Sequence, residues 1–302
     1  MKKILITGGS GTIGKAFIRT FPQYEYYSIS RNEKFITDLL REHPKVKNYV
    51  GNIEDKNFLI QTFKKIKPDI VIHTAAMKHI NIAEENPIQA CNVNIMGSLN
   101  VITASIESNI PITIGISTDK ACSSESVYGD TKSLMEKCFV NANNNKNKFA
   151  ICRFANVAHS NGSVLPFWLN LSEQKIPLKL TSKDMNRLMF SQTDSSNLIY
   201  NTINKCEKDG GGFICSYKMK SVNMLELAKV ISNKTEIVGL RPGEKLNETL
   251  INIREIPYTY IQDNMIYLYN KKNLNNNKLN IEYSSLTAEK MSLEEIKKLI
   301  WT

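Results

Sequence analysis

Little in these 302 residues would place the chain in a membrane, at a metal centre or in an oxidising compartment. No run of about 18 apolar residues is present, so no membrane span is expected. The six cysteines (Cys91, Cys122, Cys138, Cys152, Cys206 and Cys215) lie far apart with no Cys-x-x-Cys, and the four histidines form no pair at ligand spacing. Neither a disulfide framework nor a metal site is expected, and a reducing, cytoplasmic location fits such cysteine usage. A signal peptide is not expected either. The apolar Ile4-Leu5-Ile6 after Met1-Lys2-Lys3 is broken at once by Gly8-Gly9-Ser10-Gly11. No internal repeat is visible.

The remaining composition is that of an ordinary globular protein, with 42% hydrophobic and 23% charged residues, so a packed core is expected rather than disorder. The length exceeds what one compact core usually needs, which predicts one large or two fused domains. The net charge of +10 would suit nucleic acid or phosphorylated substrates. The lysines are spread along a chain rich in Lys, Asn and Ile, so a nucleic-acid partner is not expected.

Strand and helix patterns alternate through the first half. Strands are predicted over Lys3–Thr7, Glu25–Ser30, Lys47–Gly51, Asp69–Thr74, Ile112–Ser117 and Lys148–Arg153. Helices are predicted over Gly11–Phe21, Glu33–Glu42, Asp55–Ile66, Asn86–Ser108 and Tyr128–Asn144, with Asn86 capping and Pro87 at the first helical position of the fourth. Parallel strands need crossovers, so this alternation implies an α/β, Rossmann-like, doubly wound parallel sheet over residues 1–154. Beyond Phe154 the pattern fades, apart from helical stretches at Met224–Ser232 and Ser292–Ile300 and a turn at Gly210–Gly212. Residues 155–302 read as a smaller α/β substrate-binding domain, some segments of which return to the sheet.

A glycine-rich turn follows the first strand directly and opens a helix: Thr7-Gly8-Gly9-Ser10-Gly11-Thr12-Ile13-Gly14. Glycines at 8, 11 and 14 permit a tight turn, close approach of a pyrophosphate and close helix–strand packing, and the helix N-terminus favours the diphosphate charge. Gly8, Ser10, Gly11, Thr12, Ile13 and Gly14 are therefore candidate cofactor contacts. The second strand ends in Ser30-Arg31, with no acid where an NAD enzyme binds the ribose 2′-hydroxyl. Arg31 could meet a 2′-phosphate, so NADP is expected; an exposed surface charge is the alternative. Asn52 and Ile53 after the third strand and the small Ala75-Ala76 after the fourth complete the cofactor set.

Two reactive clusters sit close together in mid-chain. Tyr128 and Lys132 form a Tyr-x-x-x-Lys pair on one helical face, which can hold a phenolate over a nicotinamide ring. Ser117-Thr118-Asp119-Lys120-Ala121 puts an acid beside an amine at the carboxyl edge of the fifth strand, where open sheets bind ligands. Simple hydride transfer needs no such pair. Its presence points to chemistry beyond oxidation, such as loss of water from an oxidised sugar.

Taken together these residues resemble the extended short-chain dehydrogenase/reductases that act on nucleotide sugars. Further motifs narrow the resemblance to UDP-N-acetylglucosamine 4,6-dehydratases. They are Ala75-Ala76-Met77-Lys78-His79, Glu84-x-Asn86-Pro87, Asn94-x-x-Gly97, Arg153-Phe154-Ala155-Asn156-Val157, Ser160-Asn161-Gly162-Ser163-Val164-x-Pro166 and Gly239-Leu240-Arg241-Pro242-Gly243-Glu244-Lys245. They run from residue 3 to about residue 251. The chain is similar to the short branch that keeps the tyrosine and inverts C5. It departs from the family at Asn52 (usually Asp), Ala155 (usually Gly), Asn161 (usually Arg) and Asn247 (usually His).

The resemblance implies a UDP-N-acetylglucosamine substrate, NADP bound tightly and regenerated each turnover, and a homo-oligomer. In the implied reaction Tyr128, aided by Lys132, takes the O4 proton as hydride leaves C4, with Thr118 bonded to O4. Lys120 then removes the C5 proton, Asp119 protonates the departing 6-hydroxyl, and hydride returns to C6. The roles of Asp119 and Lys120 are interchangeable at this level. Lys78 is a candidate for the diphosphate or sugar; Asn156, Arg187 and Arg241 for the diphosphate; Val164 for the uracil; and Glu244 for the ribose hydroxyls. Glu84 is a candidate for orienting a lysine, and Asn94 for holding backbone or water under the cofactor. The competing expectations are a nucleotide-sugar 4-epimerase or reductase, which needs no Asp119–Lys120 pair, and a catalytically inactive NADP-binding regulatory protein.

Overall fold

The computed structural model describes residues 1–240, 244–275 and 277–301. The first half runs β1 (Lys3–Thr7), α1 (Thr12–Thr20), β2 (Glu25–Ser30), α2 (Glu33–Glu42), β3 (Lys47–Val50), α3 (Lys56–Ile66), β4 (Ile70–His73), α4 (Ile80–Glu85), α5 (Pro87–Cys91), a π-helical turn (Asn92–Met96), α6 (Gly97–Glu107), β5 (Ile112–Thr118), a 3-10 turn (Asp119–Ala121), α7 (Val127–Ala142) and β6 (Lys148–Phe154). The second half runs β7 (Asn156–Val157), α8 (Val164–Glu173), β8 (Leu178–Leu180), β9 (Asn186–Phe190), α9 (Gln192–Asp209), β10 (Phe213–Tyr217), β11 (Ser221–Asn223), α10 (Met224–Ile231), β12 (Thr235–Ile237), β13 (Thr249–Ile251), β14 (Thr259–Gln262), β15 (Met265–Tyr269), β16 (Tyr283–Ser284) and α11 (Leu293–Trp301).

The main sheet has nine strands in the order β3-β2-β1-β4-β5-β6-β10-β15-β14. Its first seven strands pair in parallel, as the alternation predicts, and β15 and β14 close the far edge antiparallel. The order reverses between β1 and β4, which opens a crevice at the carboxyl ends of the strands. Ile4, Ile6, Ile72, Ile114, Cys152 and Phe213 fill one face of the sheet, while Leu5, Ile29, Val71, Leu59 and Phe63 fill the other. Both faces are buried, so these strands read as near-continuous Ile/Val runs rather than alternating ones.

Segments after Phe154 send β10, β14 and β15 back into this sheet. The rest builds a separate apolar cluster around Leu165, Trp168, Leu178, Leu180, Met189, Leu227 and Leu299. The small sheets β11-β9-β7, β12-β8 and β13-β16 accompany it. No helix among the described residues is long and apolar enough to cross a membrane.

The helix predicted over Asn86–Ser108 is broken by the π-helical turn. Asn86 precedes Pro87 without a side-chain cap; its Nδ2 donates to Ile82 O at 3.0 Å, closing the preceding α4 instead. The extra residue of the π-turn aims Asn94 at the loop after β4. Asn94 Oδ1 accepts from Met77 N at 2.8 Å, and its Nδ2 donates to Met77 O at 2.9 Å and to Thr131 Oγ1 at 3.0 Å. A mid-helix asparagine is thus the tie between the cofactor-side loop and α7.

Candidate active site

The glycine-rich turn lies at the sheet's switch point. Gly8 has φ +75°, and a Cβ there would meet Ala75 N at 2.9 Å, so the turn sits directly against the loop after β4. At Gly14 a Cβ would fall 2.5 Å from Gly9 Cα, which only glycine avoids, and α1 therefore starts hard against the turn. Gly11 caps α1 with no side-chain bond to the first-turn amides. Such an end favours an anion. Ser10 N donates to Ser30 Oγ at 3.2 Å, holding the turn beside the end of β2 and Arg31. Ile53 is buried beneath Gly97, while Ile13, Ala75 and Ala76 are half-buried. These features fit a dinucleotide.

The adenine-side residues are arranged differently from expectation. Asn52 turns its amide to Glu54, with Nδ2 2.8 Å from Oε1. Glu54 also accepts from Gln89 Nε2 at 3.2 Å and lies 4.0 Å from the exposed Arg31. Glu54 went unnoticed in the sequence because it carries no motif position of its own.

The two reactive clusters meet in one buried site. β5 ends at Thr118, whose Oγ1 donates to Asp119 Oδ1 at 2.9 Å. Lys120 Nζ donates to the same oxygen at 3.0 Å. Asp119 is fully buried, and its second oxygen, Oδ2, has no hydrogen-bond partner. Burial alone would lower the Lys120 pKa, but the carboxylates of Asp119 and Glu248 outweigh it and raise the pKa. Lys120 therefore rests as an ammonium, with the two carboxylates together setting the direction against the large opposing effect of burial.

Tyr128 and Lys132 lie on one face of α7, 8% and 3% exposed. Burial raises the Tyr128 phenol, and although the Lys120 charge and the Thr118 side chain oppose that rise, it stands at about 12. Lys120 is thus a cation that acts on the Tyr128 phenol. Lys132 Nζ donates to Ile116 O at 2.7 Å, and burial draws its pKa down to about 8 against the opposing charge of Glu136.

Gly129 lets the clusters approach. A Cβ there would lie 2.3 Å from Lys120 O and 2.3 Å from Ser124 Oγ. Gly129→Ala is expected to push α7 off the Asp119–Ala121 turn and to cut turnover by about a hundredfold, since displacing reacting groups by an ångström costs that much. Steady-state kinetics with the far-ultraviolet spectrum as a folding control checks it. The start of α7 is further held by Ser126 Oγ, which accepts from Gly129 N at 3.2 Å, and by Glu84, which accepts from Val127 N at 2.7 Å. Glu84 meets a helix N-terminus rather than a lysine, because the first-turn amides there lack partners.

The remaining candidates are dispersed around this centre. Lys78 Nζ donates to Asn161 O at 2.5 Å, and Asn161 N donates to Thr12 Oγ1 at 3.0 Å, which joins the 160–163 loop to the glycine-rich turn. Asn156 Nδ2 donates to Leu188 O at 3.0 Å, and Val164 begins α8. Glu244 accepts from Thr181 Oγ1 at 3.2 Å. Arg187 is 8% exposed, and its guanidinium donates to the carbonyls of Asn186, Lys245 and Leu246 at 2.8–3.1 Å. It shapes the backbone that leads to Glu248. Arg241 lies outside the described residues.

Sequence reasoning missed Glu248, although it closes the run Glu244-Lys245-Leu246-Asn247-Glu248. It is 7% exposed, with Oε1 3.7 Å from Lys120 Nζ. It also overlooked a buried ion network under α7. Arg153 makes a two-pronged contact with Glu136 (2.9 and 2.7 Å) and donates to Glu255 (2.9 and 3.0 Å) and to Leu250 O at 2.8 Å.

A family model described as polysaccharide biosynthesis protein matches residues 4–272. The chain is 35% identical over 276 residues to the UDP-N-acetylglucosamine 4,6-dehydratase (inverting) of Campylobacter jejuni, covering 87% of this chain and 81% of that one. It is 31% identical to the UDP-glucose 4-epimerase of Rickettsia bellii, covering 99% of this chain and 95% of that one. Among solved structures, Pen from Bacillus thuringiensis superposes with a TM-score of 0.90 at 29% identity, covering 99% of this chain and 97% of that one.

Proposed function

Because the chain belongs to the polysaccharide biosynthesis family of extended short-chain dehydrogenase/reductases, we propose that it is an NADP-dependent UDP-N-acetylglucosamine 4,6-dehydratase that inverts C5. The observation that carries this reading is the buried Asp119–Lys120 pair beside Tyr128, with Asp119 Oδ2 lacking a partner. A buried carboxylate oxygen without a partner is costly unless a substrate group or a proton meets it.

The glycine-rich turn, Arg31, Ile53, Ala75 and Ala76 hold the dinucleotide, with Tyr128 and Lys132 at its nicotinamide end. When bound, it supplies a reversible hydride acceptor. Tyr128 accepts the O4 proton, and Thr118 steadies O4. The proton shared along the 3.0 Å Lys120–Asp119 contact then passes to the carboxylate, leaving an amine and an acid. The Lys120 amine removes the C5 proton, acidified by the 4-keto group. Asp119 gives its proton to the departing 6-hydroxyl, so the C6–O bond breaks and water leaves. Proton delivery to C5 on the opposite face, matched by the hydride that the bound dinucleotide would return to C6, saturates the C5–C6 bond and inverts C5. Lys78, Asn156, Arg241, Glu244 and Val164 bind the uridine diphosphate, and Arg187 supplies charge from behind Glu244 and Glu248.

The UDP-glucose 4-epimerase relatives favour a second reading, in which only Tyr128 and Lys132 act. Product mass separates the two. The dehydratase product is lighter by one water; a product of unchanged mass overturns the proposal. Exposed Ile88, Met96 and Leu134 on α5, the π-turn and α7 support self-association through these helices.

Arg31 decides the cofactor. Arg31→Ser is expected to weaken NADP+ binding roughly ten- to a hundredfold, the worth of one or two charge-assisted hydrogen bonds, and to leave NAD+ binding unchanged. Dissociation constants for both cofactors check it, and a clear preference of the unsubstituted protein for NAD+ contradicts it.

A further inference from the structure

Lys120 stands between two carboxylates, not one. Asp119 Oδ1 lies 3.0 Å from its Nζ, and Glu248 Oε1 lies 3.7 Å from it. Beyond Glu248 comes Arg187, with Nη2 4.0 Å from the same Oε1. The charges along Asp119, Lys120, Glu248 and Arg187 alternate in sign, and the Asp119, Glu248 and Arg187 side chains are at most 9% exposed. β13 starts at the next residue and packs on the Asp119–Ala121 turn, which fixes Glu248 against Lys120. Ser285 Oγ accepts from Glu248 N at 3.0 Å, anchoring the backbone there.

We propose that Glu248 is a positioning residue of the elimination step, holding the Lys120 amine beside Asp119 by its charge and governing when that amine releases its proton. This rests on the dehydratase reading. A salt link at this distance is longer than a hydrogen bond, so Glu248 acts by charge. The groups facing Lys120 are Asp119, Glu248, Arg187 and Tyr128. Those facing Glu248 are Lys120, Asp119, Arg187 and Lys245. Burial comes first in raising the Glu248 pKa; Asp119 adds to the rise, while Lys120, Arg187 and Lys245 oppose it. An ionised Glu248 favours the Lys120 ammonium. As Glu248 loses its charge, the ammonium is favoured less, and the Lys120 proton moves more readily to Asp119. The N–H bond that breaks on Lys120 and the O–H bond that forms on Asp119 balance within the site.

C5 exchange needs only the neutral Lys120 amine, whether its proton has passed to Asp119 or to solvent, so the exchange rate rises with pH as the second route opens. Removing the Glu248 charge lowers the pH at which that happens. In heavy water with UDP-N-acetylglucosamine, Glu248→Gln is expected to move the rising limb of the C5 deuterium-exchange profile down by about one pH unit. Glu248→Asp, which keeps the charge one methylene further away, should place the limb between the two. Below that limb, where Lys120 keeps its charge with or without Glu248, C4 oxidation, followed in a single turnover at the nicotinamide absorbance, should change less than about twofold. An unmoved limb in Glu248→Gln overturns the inference. Should that variant fail to fold, an unmoved limb in Glu248→Asp does so. No C5 exchange in the unsubstituted enzyme overturns the dehydratase reading instead, and the inference with it.

Discussion

Lys120→Ala should lower formation of the dehydrated product by about a thousandfold, the loss expected when a positioned acid–base group is removed. Three effects act together. The base for the C5 proton is gone. Asp119 and Glu248, which now face one another without the intervening cation, repel and favour their protonated forms. Tyr128 loses the positive charge that holds its burial-raised pKa down, so its phenolate becomes scarcer and C4 oxidation slows as well. The last effect is specific to this geometry, since Lys132 is bonded to Ile116 O instead. Timed mass spectrometry of the sugar product measures the loss. Product at the full rate would remove Lys120 from the mechanism.

Arg153→Met should destabilise the fold by about 3–5 kcal/mol, because a buried pair broken on one side leaves uncompensated charge. Arg153 is 2% exposed and meets Glu136 on α7, Glu255 and Leu250 O. Without the guanidinium, two carboxylates and a carbonyl lose their partner in the interior. A fall in Tm of roughly 5–8 °C is expected for a chain of this size. Arg153→Met with Glu136→Gln should recover part of that loss. Arg19→Met, at an exposed position whose side chain bonds only Gln192 among the described contacts, should change Tm by little. Equal losses at both arginines would contradict the assignment. Activity should fall with Arg153 as well, since Glu136 lies one helical turn beyond Lys132 and acts on its charge.

The parallel half of the fold was legible because its strands are Ile/Val runs punctuated by capped helices. The glycine-rich turn and the Tyr128–Lys132 and Asp119–Lys120 pairs stand out in the sequence because each gathers its candidate groups into a few adjacent residues, and the structure brings the two pairs into one site. What the pattern hid is equally physical. α9, at 18 residues, escaped because Ser, Thr and Asn interrupt its apolar face, although Ser191 and Asp194 form a capping box that marks its start. The π-turn escaped because one extra residue leaves the hydrophobic spacing nearly intact. Glu248 and Arg187 are brought to Lys120 by chain segments about 130 and 70 residues away, a pairing that local periodicity does not encode. Asn52 resembled an adenine contact by position, yet Glu54 two residues later claims its amide.

The central claim is that Asp119 and Lys120 eliminate water between two hydride transfers that Tyr128 serves. Incubation with UDP-N-acetylglucosamine in heavy water, followed by proton NMR, tests it most directly. The account predicts a 4-keto-6-deoxy sugar with deuterium at C5 and ring couplings changed by inversion. A 4-epimer that keeps its C5 proton and its 6-hydroxyl would contradict it.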